Sequence, residues 1–416
     1  MGNLKPLRDS WRFFYYLCYS NDNPRKTMKI LHTSDWHLGH TLYNFDRSEE
    51  QQAMLDQMAD IVKEQQPDVF LLCGDVFHTS QPSNAVQTML SDALVNIHKA
   101  NPEMVIVMTA GNHDSPTKHE IFQKPWRALN VYAIGQLKKE TPDEHIIEVP
   151  GKGFIIAIPF VNELMLPKGI FQQLLDKVAE RNTDGLPVVM TAHTTVKGCD
   201  YQGHEQASEF IVGGIDSIDL QELGEGYDYL ALGHIHHGQY VHTGKHNVRY
   251  SGTPLPISFD EAYNHTVSMV EIDKHGETPT VTEIAIQNPH PLVSLPSEGL
   301  APWEKAKELL QQFPDDLPAY IRLNVAVETF LPVEAEAEAA SLVKGKQCRF
   351  CHINSKRKES TQNEVKVLTV QEFKAEQPIE IARQYAAYTG IEFNEEMTAL
   401  FNEVLDMVAN DSRNEP

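Results

Sequence analysis

The sequence predicts a layered α/β fold, and three observations carry that expectation. Short apolar runs of strand type recur along the first 240 residues. Helical apolar periodicity fills the first long gap between them. Each run stops on Asp, Asn or His instead of on ordinary turn residues. Strands alternating with helices build sheets covered by helices. Ligands of such sheets bind beyond the carboxyl ends of the strands.

The strands follow in order. "MKILHTSDWHLG" starts at Met28 and ends in Asp35 and His37. "DVFLLCGDVFH" ends in Asp75 and His78, and "VIVMTAGNHDSP" in Asn112, His113 and Asp114. "LPVVMTAH" ends in His193, and "YDYLALGHIHHG" in His234 and His236. Between the first two, "SEEQQAMLDQMADIVKEQQ" puts Met54, Leu55, Met58, Ile61 and Val62 on one helical face. Ser48 followed by Gln51 suggests a capping box at its start.

These endings carry the donor types of a transition-metal site. Carboxylate, amide carbonyl and imidazole together suit Mn, Fe or Zn better than Ca or Mg, because imidazole is the softer donor. Asp35 and His37 are two apart, as are His234 and His236. On an extended chain such residues point the same way, so each pair is expected to reach one centre. Seven candidate ligands (Asp35, His37, Asp75, Asn112, His193, His234 and His236) are too many for one ion. Two ions sharing a bridging carboxylate, about 3.5–4 Å apart, would use them all. Taken singly, each ending is ordinary turn chemistry; five in order on five strands are not. His119, His145, His265 and the other scattered histidines read as surface or satisfied core residues, with His40 and His237 held as neighbours of the site.

Composition bounds the rest. A chain of 416 residues has room for two or three domains. Its 41% hydrophobic and 22% charged residues suit a globular protein rather than a disordered one. Five scattered cysteines argue against a disulfide framework and fit a reducing cytoplasm. The net charge of −23 weighs against a polyanionic partner. Metal ligands account for part of that excess, and the acid-rich C-terminal part suits a protein partner. The longest aromatic run, Trp11 to Tyr19, is too short to span a bilayer, and no small-residue cleavage site follows it. Residues 1–27 therefore read as a leader outside the fold. No Walker-type loop is present, so any ATP hydrolysis belongs to another chain.

A boundary is expected near "QNPHPLVSLPSEGLAP" (Gln287 to Pro302), which is rich in Pro and Ser. Beyond it, "AYIRLNVAV" alternates like a strand, "PVEAEAEAASLVKG" reads as a helix ending at Gly345, and "QCRFCHINSKRK" as another strand. "SKRK" (Ser355 to Lys358) is either a phosphate contact or a solvated strand end. Cys348 and Cys351 form a lone CxxC beside His352; with no second pair they read as structural cysteines. Two helices follow, one from Pro378 to Gly390 and one capped by Asn394. The second carries an apolar stripe of Met397, Leu400, Phe401, Val404, Leu405 and Val408.

The order D-x-H, GD, GNHD, AH, GHIH resembles the calcineurin-like metallophosphoesterases. "ILHTSDWHLG", "GDVFHTSQPSN", "AGNHDSP", "LALGHIH" and "YSGTPLPISFDE" narrow the resemblance to the SbcD family, nuclease subunits of bacterial SbcCD-type complexes, over residues 28 to 275. It implies a layered β-sandwich flanked by helices, with a smaller α+β capping domain and C-terminal helices. The nuclease domain would span residues 28–285, the capping domain 286–368 and a helical partner-binding segment 369–416. One cation would sit on Asp35, His37, Asp75 and His236, the other on Asp75, Asn112, His193 and His234, with Mn2+ the expected metal. His113 would stabilise the transition state or protonate the leaving oxygen, Asp114 would orient it, and His78, where many relatives carry Asp, would reach the scissile region of the DNA.

The implied activity is a DNA nuclease, an exonuclease on duplex ends and an endonuclease on single strands or hairpins, acting in repair and recombination. The implied partners are DNA and an SbcC-like SMC-type ATPase, met by the C-terminal stripe as a helix in a groove; the bare reading of that stripe is packing on its own domain. A homodimer within a heterotetramer, in the cytoplasm and without membrane association, completes the expectation. The rivals are a protein phosphatase or cyclic-nucleotide phosphodiesterase, whose GD motif would continue to "DRG" where this chain has "HTS", and a non-catalytic DNA-end tether.

Overall fold

In a computed structural model of the protein, the described residues are 27–162, 165–200, 217–241, 246–328 and 330–357, with scattered positions between 379 and 405. Residues 1–26 of the expected leader lie outside them, and Thr27 is described. Two compact units are distinguished: Met1–Val325 with Pro332–Asn354, and Ala326–Leu331 with Ser355–Pro416.

Two six-stranded sheets form the larger part of the first unit. Along the first lie, in spatial order, Thr280–Ala285 (β12), Thr266–Ile272 (β11), Met28–Thr33 (β1), Val69–Cys73 (β2), Val105–Thr109 (β3) and Val131–Ile134 (β4). β1 to β4 run parallel, while β11 and β12 are antiparallel additions at one edge. The second sheet is ordered Ile146–Val149 (β5), Gly153–Ala157 (β6), Val188–His193 (β7), Tyr229–Gly233 (β8), Val248–Tyr250 (β10) and Gln239–Tyr240 (β9). Its central strands β6, β7 and β8 are parallel.

Alternation along each strand sorts its side chains between two cores. Ile30, Leu71, Val107, Ile155, Val189 and Ala231 point into the space between the sheets. Leu31, Leu72 and Met108 face the other way, against helices Ser48–Gln65 (α1) and Asn84–Ala100 (α2). Ile156, Met190 and Leu230 face helix Ile170–Arg181 (α3). The result is the expected helix–sheet–sheet–helix sandwich. Strands buried on both faces read as continuous apolar runs, which is why they stand out in the sequence.

α1 buries Met54, Leu55, Met58, Ile61 and Val62 as predicted, but the capping box is absent. Arg47 holds the N-cap position, and Asp46 Oδ1 accepts the Ser48 amide at 2.9 Å. Gln51 is drawn inward instead: its Oε1 accepts the Gly39 amide at 3.0 Å and its Nε2 donates to the His40 carbonyl at 3.2 Å. Inside a sandwich the loop after β1 offers buried backbone groups that need partners, and Gln51 answers them.

A third sheet holds Leu292–Leu295 (β13), Ala301–Pro302 (β14), Tyr320–Val327 (β15) and Arg349–Arg357 (β16), with helices Trp303–Gln312 (α4) and Ala335–Leu342 (α5). The predicted strand–helix–strand is present, although α5 stops at Leu342, short of Gly345. The stretch expected to mark a boundary contains β13 and β14, and α4 is an element the periodicity does not reveal. A four-residue apolar run between prolines is too short to show a period. Lys356 and Arg357 are exposed, as a solvated strand end would be.

Asn394 is an N-cap: its Oδ1 accepts the Met397 amide at 2.9 Å. Met397, Leu400 and Val404 of the predicted stripe are exposed; Val408 lies outside the described residues. No helix among the described residues is long and apolar enough to cross a membrane.

Leu71 is fully buried between the two sheets. Leu71→Ala is expected to lower unfolding stability by about 2–5 kcal/mol, read from urea or guanidinium midpoints.

Candidate metal centre

Strands β1, β2 and β3 of one sheet and β7 and β8 of the other deliver their polar endings to one place. The loops after β1 and β2 are stitched together there. The Asp35 amide donates to the Gly74 carbonyl at 3.0 Å and the His37 amide to the Asp75 carbonyl at 3.0 Å. Across the sandwich, the His234 amide donates to the Asp35 carboxylate at 3.1 Å.

The backbone departs from the extended geometry expected of these endings. Asp35 (φ 53°), His37 (45°), Asp75 (49°) and His234 (96°) all occupy the left-handed region. Non-glycine residues rarely adopt it, and such strain collects where function over-determines the chain. Asp35 and His37 converge through left-handed turns instead of an extended chain, and His234 and His236 fall in different sets at the same mouth.

Three sets of side chains bring their ligand atoms within 4.8 Å of one another: Asp35, His37 and His236; Asp75, His193 and His234; and His37, His78 and His113. Asp75 Oδ2 stands 3.8 Å from His37 Nε2 and 3.3 Å from His193 Nε2, between the first two sets. His193 Nε2 also lies 3.1 Å from Asn112 Oδ1, which brings the amide into the second set. His37 Nε2 and His236 Nε2 are 3.1 Å apart. All seven predicted ligands thus meet at one mouth.

Their orientation is fixed from behind. His193 Nδ1 faces the Cys73 carbonyl at 2.9 Å, and His236 Nδ1 faces Glu261 Oε1 at 3.0 Å. Carbonyls and carboxylates in that position turn the other ring nitrogen toward a metal. Space is tight: a Cβ on Gly111 would lie 2.1 Å from Asp75 Oδ1, and one on Gly74, itself at φ +87°, would lie 2.1 Å from His193 Nδ1. Only glycine fits at either place.

The third set forms a wall of imidazoles. The His113 ring stacks on His78 with centroids 5.6 Å apart, and His113 Nδ1 faces the His78 carbonyl at 2.9 Å. His40 adds a ring 4.7 Å from His78 and a nitrogen 3.4 Å from Arg47 Nη1. His237, the other neighbour held in view, stacks on Tyr263 at 4.3 Å. The Asp114 carboxylate accepts the amides of Gly111 (2.8 Å), Phe77 (2.9 Å) and Val76 (3.1 Å). Its hold on His113 therefore runs through the backbone that carries the His78 carbonyl.

Burial sets the electrostatics. It pushes Asp35 up to about 7, with the Asp75 charge adding to the rise and His193 opposing it. It drives His37 down to about 3, so that ring is neutral. At His193 burial opposes protonation, but the charge and hydrogen bond of Asp75 outweigh it and push the imidazole up to about 9. Asp75 itself, despite burial, is held well below the usual carboxylate range by His193 and His37. Burial also lifts Glu261 well above its ordinary range. Carboxylates and imidazoles gathered out of water in this way need a positive charge among them. The donor set fits divalent cations of the borderline class.

Gln51, Thr253 and Glu261 escape a reading of the sequence alone. Thr253 Oγ1 donates to the Asp35 carbonyl at 2.8 Å. Thr253 and Glu261 sit in "SGTPLPISFDE", a stretch whose resemblance is plain but whose contacts are made far along the chain. Cys351 packs with Leu42, Phe259 and Tyr320, and no metal-ligating group among the described residues includes either cysteine of the CxxC. His119 and His145 are satisfied core residues, bonded to the carbonyls of Met108 (3.1 Å) and Ala157 (2.8 Å).

Two measurements test the centre. A cation needs the His193 nitrogen unprotonated, and in the metal-free protein that ring holds its proton up to about pH 9. Affinity is therefore expected to rise with pH between 7 and 9, with on the order of one proton released per chain at pH 8, read by calorimetry in buffers of different ionisation enthalpy. Gly111→Ala is expected to abolish tight cation uptake while the far-ultraviolet circular dichroism stays native.

Known proteins share the pattern. A family model described as "Calcineurin-like phosphoesterase" matches residues 28–238. Curated relatives, each named as the SbcD subunit of the nuclease SbcCD, align over most of the chain. The one from Rhodobacter capsulatus is 31% identical over 66% of this chain and 73% of that protein. The one from Escherichia coli K12 is 26% identical over 73% and 79%, and the one from Bacillus subtilis 168 is 29% identical over 74% and 81%. The family fold implies a dinuclear site for divalent cations, and the clusters around Asp75 supply its candidate ligands. With five strand endings gathered at one mouth and the family pattern spanning both sheets, the chain belongs to the calcineurin-like phosphoesterases.

Proposed function

We propose that this chain is a metal-dependent DNA nuclease, the nuclease component of an SbcCD-type complex acting in DNA repair and recombination. The observation that carries the reading is the Asp75 carboxylate held between His37 and His193, with donors from five strands around it. The relatives named above point to DNA as the phosphodiester, and the "HTS" after the GD motif favours them over the phosphatase rival.

Asp35, His37, Asp75 and His236 would hold one cation, and Asp75, Asn112, His193 and His234 the other. The imidazole-rich set favours Mn2+ over Mg2+. Cations bound there would supply phosphate neutralisation and would lower the pKa of a water that attacks phosphorus. The chain supplies the rest. The His78 carbonyl faces His113 Nδ1 and orients the ring, which stabilises developing charge or gives a proton to the leaving oxygen. Asp114 keeps the 75–78 and 111–113 loops in register. His78, packed between His40 and His113, faces the scissile region.

Residues 28–285 form the nuclease domain and 286–368 the cap that selects DNA. The helical segment 369–416 docks on an SMC-type ATPase, which the exposed Met397, Leu400 and Val404 support. Two such chains act as a homodimer within a heterotetramer in the cytoplasm.

A cleavage assay on blunt duplex and hairpin DNA, with Mn2+, Mg2+ or chelator, tests this. Mn2+ is expected to support cutting of both and chelator to stop it; inert DNA under every condition refutes the reading. Asp75→Asn is expected to lose both cation binding and cleavage. His113→Gln is expected to keep its cations but cut about 10²–10⁴-fold more slowly; loss of metal in that variant contradicts the division of roles.

A further inference from the structure

One loop joins the small third sheet to the metal centre. Glu261 is buried, and its Oε1 takes the His236 Nδ1 contact at 3.0 Å while its Oε2 accepts the Ile257 amide at 3.3 Å. Its neighbours are gripped from the other side. Arg322 of β15 reaches Asp260 Oδ1 with Nη1 at 2.6 Å and the Phe259 carbonyl with Nη2 at 3.2 Å. The same guanidinium is braced by Ser294 of β13 at 3.1 Å and lies 5.1 Å over the Phe259 ring. Phe259 packs with Leu42 and Tyr320, and Arg47 Nη1 donates to the Pro256 carbonyl at 2.6 Å. The third sheet therefore holds Phe259 and Asp260, Arg47 holds Pro256, and Glu261, next in the chain, presses on one imidazole.

The second set of ligands is braced from a different place. His193 is set by the Cys73 carbonyl at the end of β2, in the middle of the first sheet.

We propose that Glu261 is a positioning residue for His236, and that Arg322 makes the seating of the third sheet govern the affinity of the cation His236 holds, leaving the cation at His193 unaffected. This rests on the two-cation reading of the centre. A carboxylate behind a ligating histidine fixes the ring, and removing such a partner costs about 10- to 100-fold in metal affinity. A shift of the third sheet would draw on Asp260 and Phe259, and so on Glu261.

The test is a calorimetric Mn2+ titration of the full chain, with electron paramagnetic resonance to separate a spin-coupled Mn2+ pair from single ions. Wild type is expected to bind two cations and show the coupled signal. Glu261→Ala is expected to weaken one cation by about 10- to 100-fold, leave the other at wild-type affinity and lose the coupled signal at limiting metal. Glu261→Gln retains an acceptor oxygen for the His236 ring and is expected to recover most of the affinity. Arg322→Ala, which removes no group touching the centre, is expected to weaken the same cation by an amount between wild type and Glu261→Ala. It keeps the proposal open to refutation should Glu261→Ala fail to fold.

Equal weakening of both cations, or no change in Glu261→Ala, overturns the role of Glu261. Wild-type behaviour of Arg322→Ala overturns the link to the third sheet. A wild-type chain that takes up no Mn2+ refutes the metal centre itself, a different outcome from either.

Discussion

The rest of the structure depends on one buried carboxylate. Asp75 leaves the end of β2 in a left-handed conformation and places a single oxygen between imidazoles from opposite sheets. Everything nearby keeps that oxygen in place. Gly111 clears room for the carboxylate and Gly74 for the His193 ring, the His113 amide donates to the other Asp75 oxygen at 2.9 Å, and Asp114 ties down the amides of Val76 and Phe77 just beyond it. Without cations this is a poor arrangement, with desolvated acids crowded around one charged imidazole. With two cations the same groups become well matched. The fold therefore stores unfavourable electrostatics and backbone strain at one spot, and the large apolar cores on either side of each sheet hold it there.

Much of this is legible in the sequence because strands buried on both faces are written as unbroken apolar runs, and polar residues at their ends stand out. β1, β2, β3, β7 and β8 each announce themselves this way, and with them every candidate ligand. The helix face of α1 is equally plain. What is not legible lies in backbone conformation and in contacts distant along the chain. Nothing in D-x-H spacing reveals that Asp35 and His37 converge through positive φ, or that His234 and His236 serve different sets. Ser48 and Gln51 satisfy a local capping rule, yet Gln51 turns to the buried Gly39 amide, and tertiary need overrides the local pattern. β13 and β14 are hidden by brevity, α4 by its mixed composition.

The supporting residues show the same limit from another side. Glu261 lies 25 positions from His236 and Thr253 lies 218 from Asp35. A motif can mark such a stretch as telling without saying what it touches. The geometry supplies the missing link: the "SGTPLPISFDE" loop is the wall behind the first ligand set, facing both Asp35 and His236.

β1 carries the first two donors, yet its neighbour on one side is β11, with Met28 opposite Ile272. That pairing spans more than half the polypeptide. An elongating chain on the ribosome can make β1, α1 and β2 early, but the strand that holds Asp35 stays unpaired along one edge until residue 272 has emerged. Long-range pairing of this kind is slow to close, and in this architecture it orders events: translation through the whole phosphoesterase portion precedes a competent centre. A newborn fragment that ends before residue 266 leaves the strand leading to Asp35 with an open edge, although it already carries every candidate ligand.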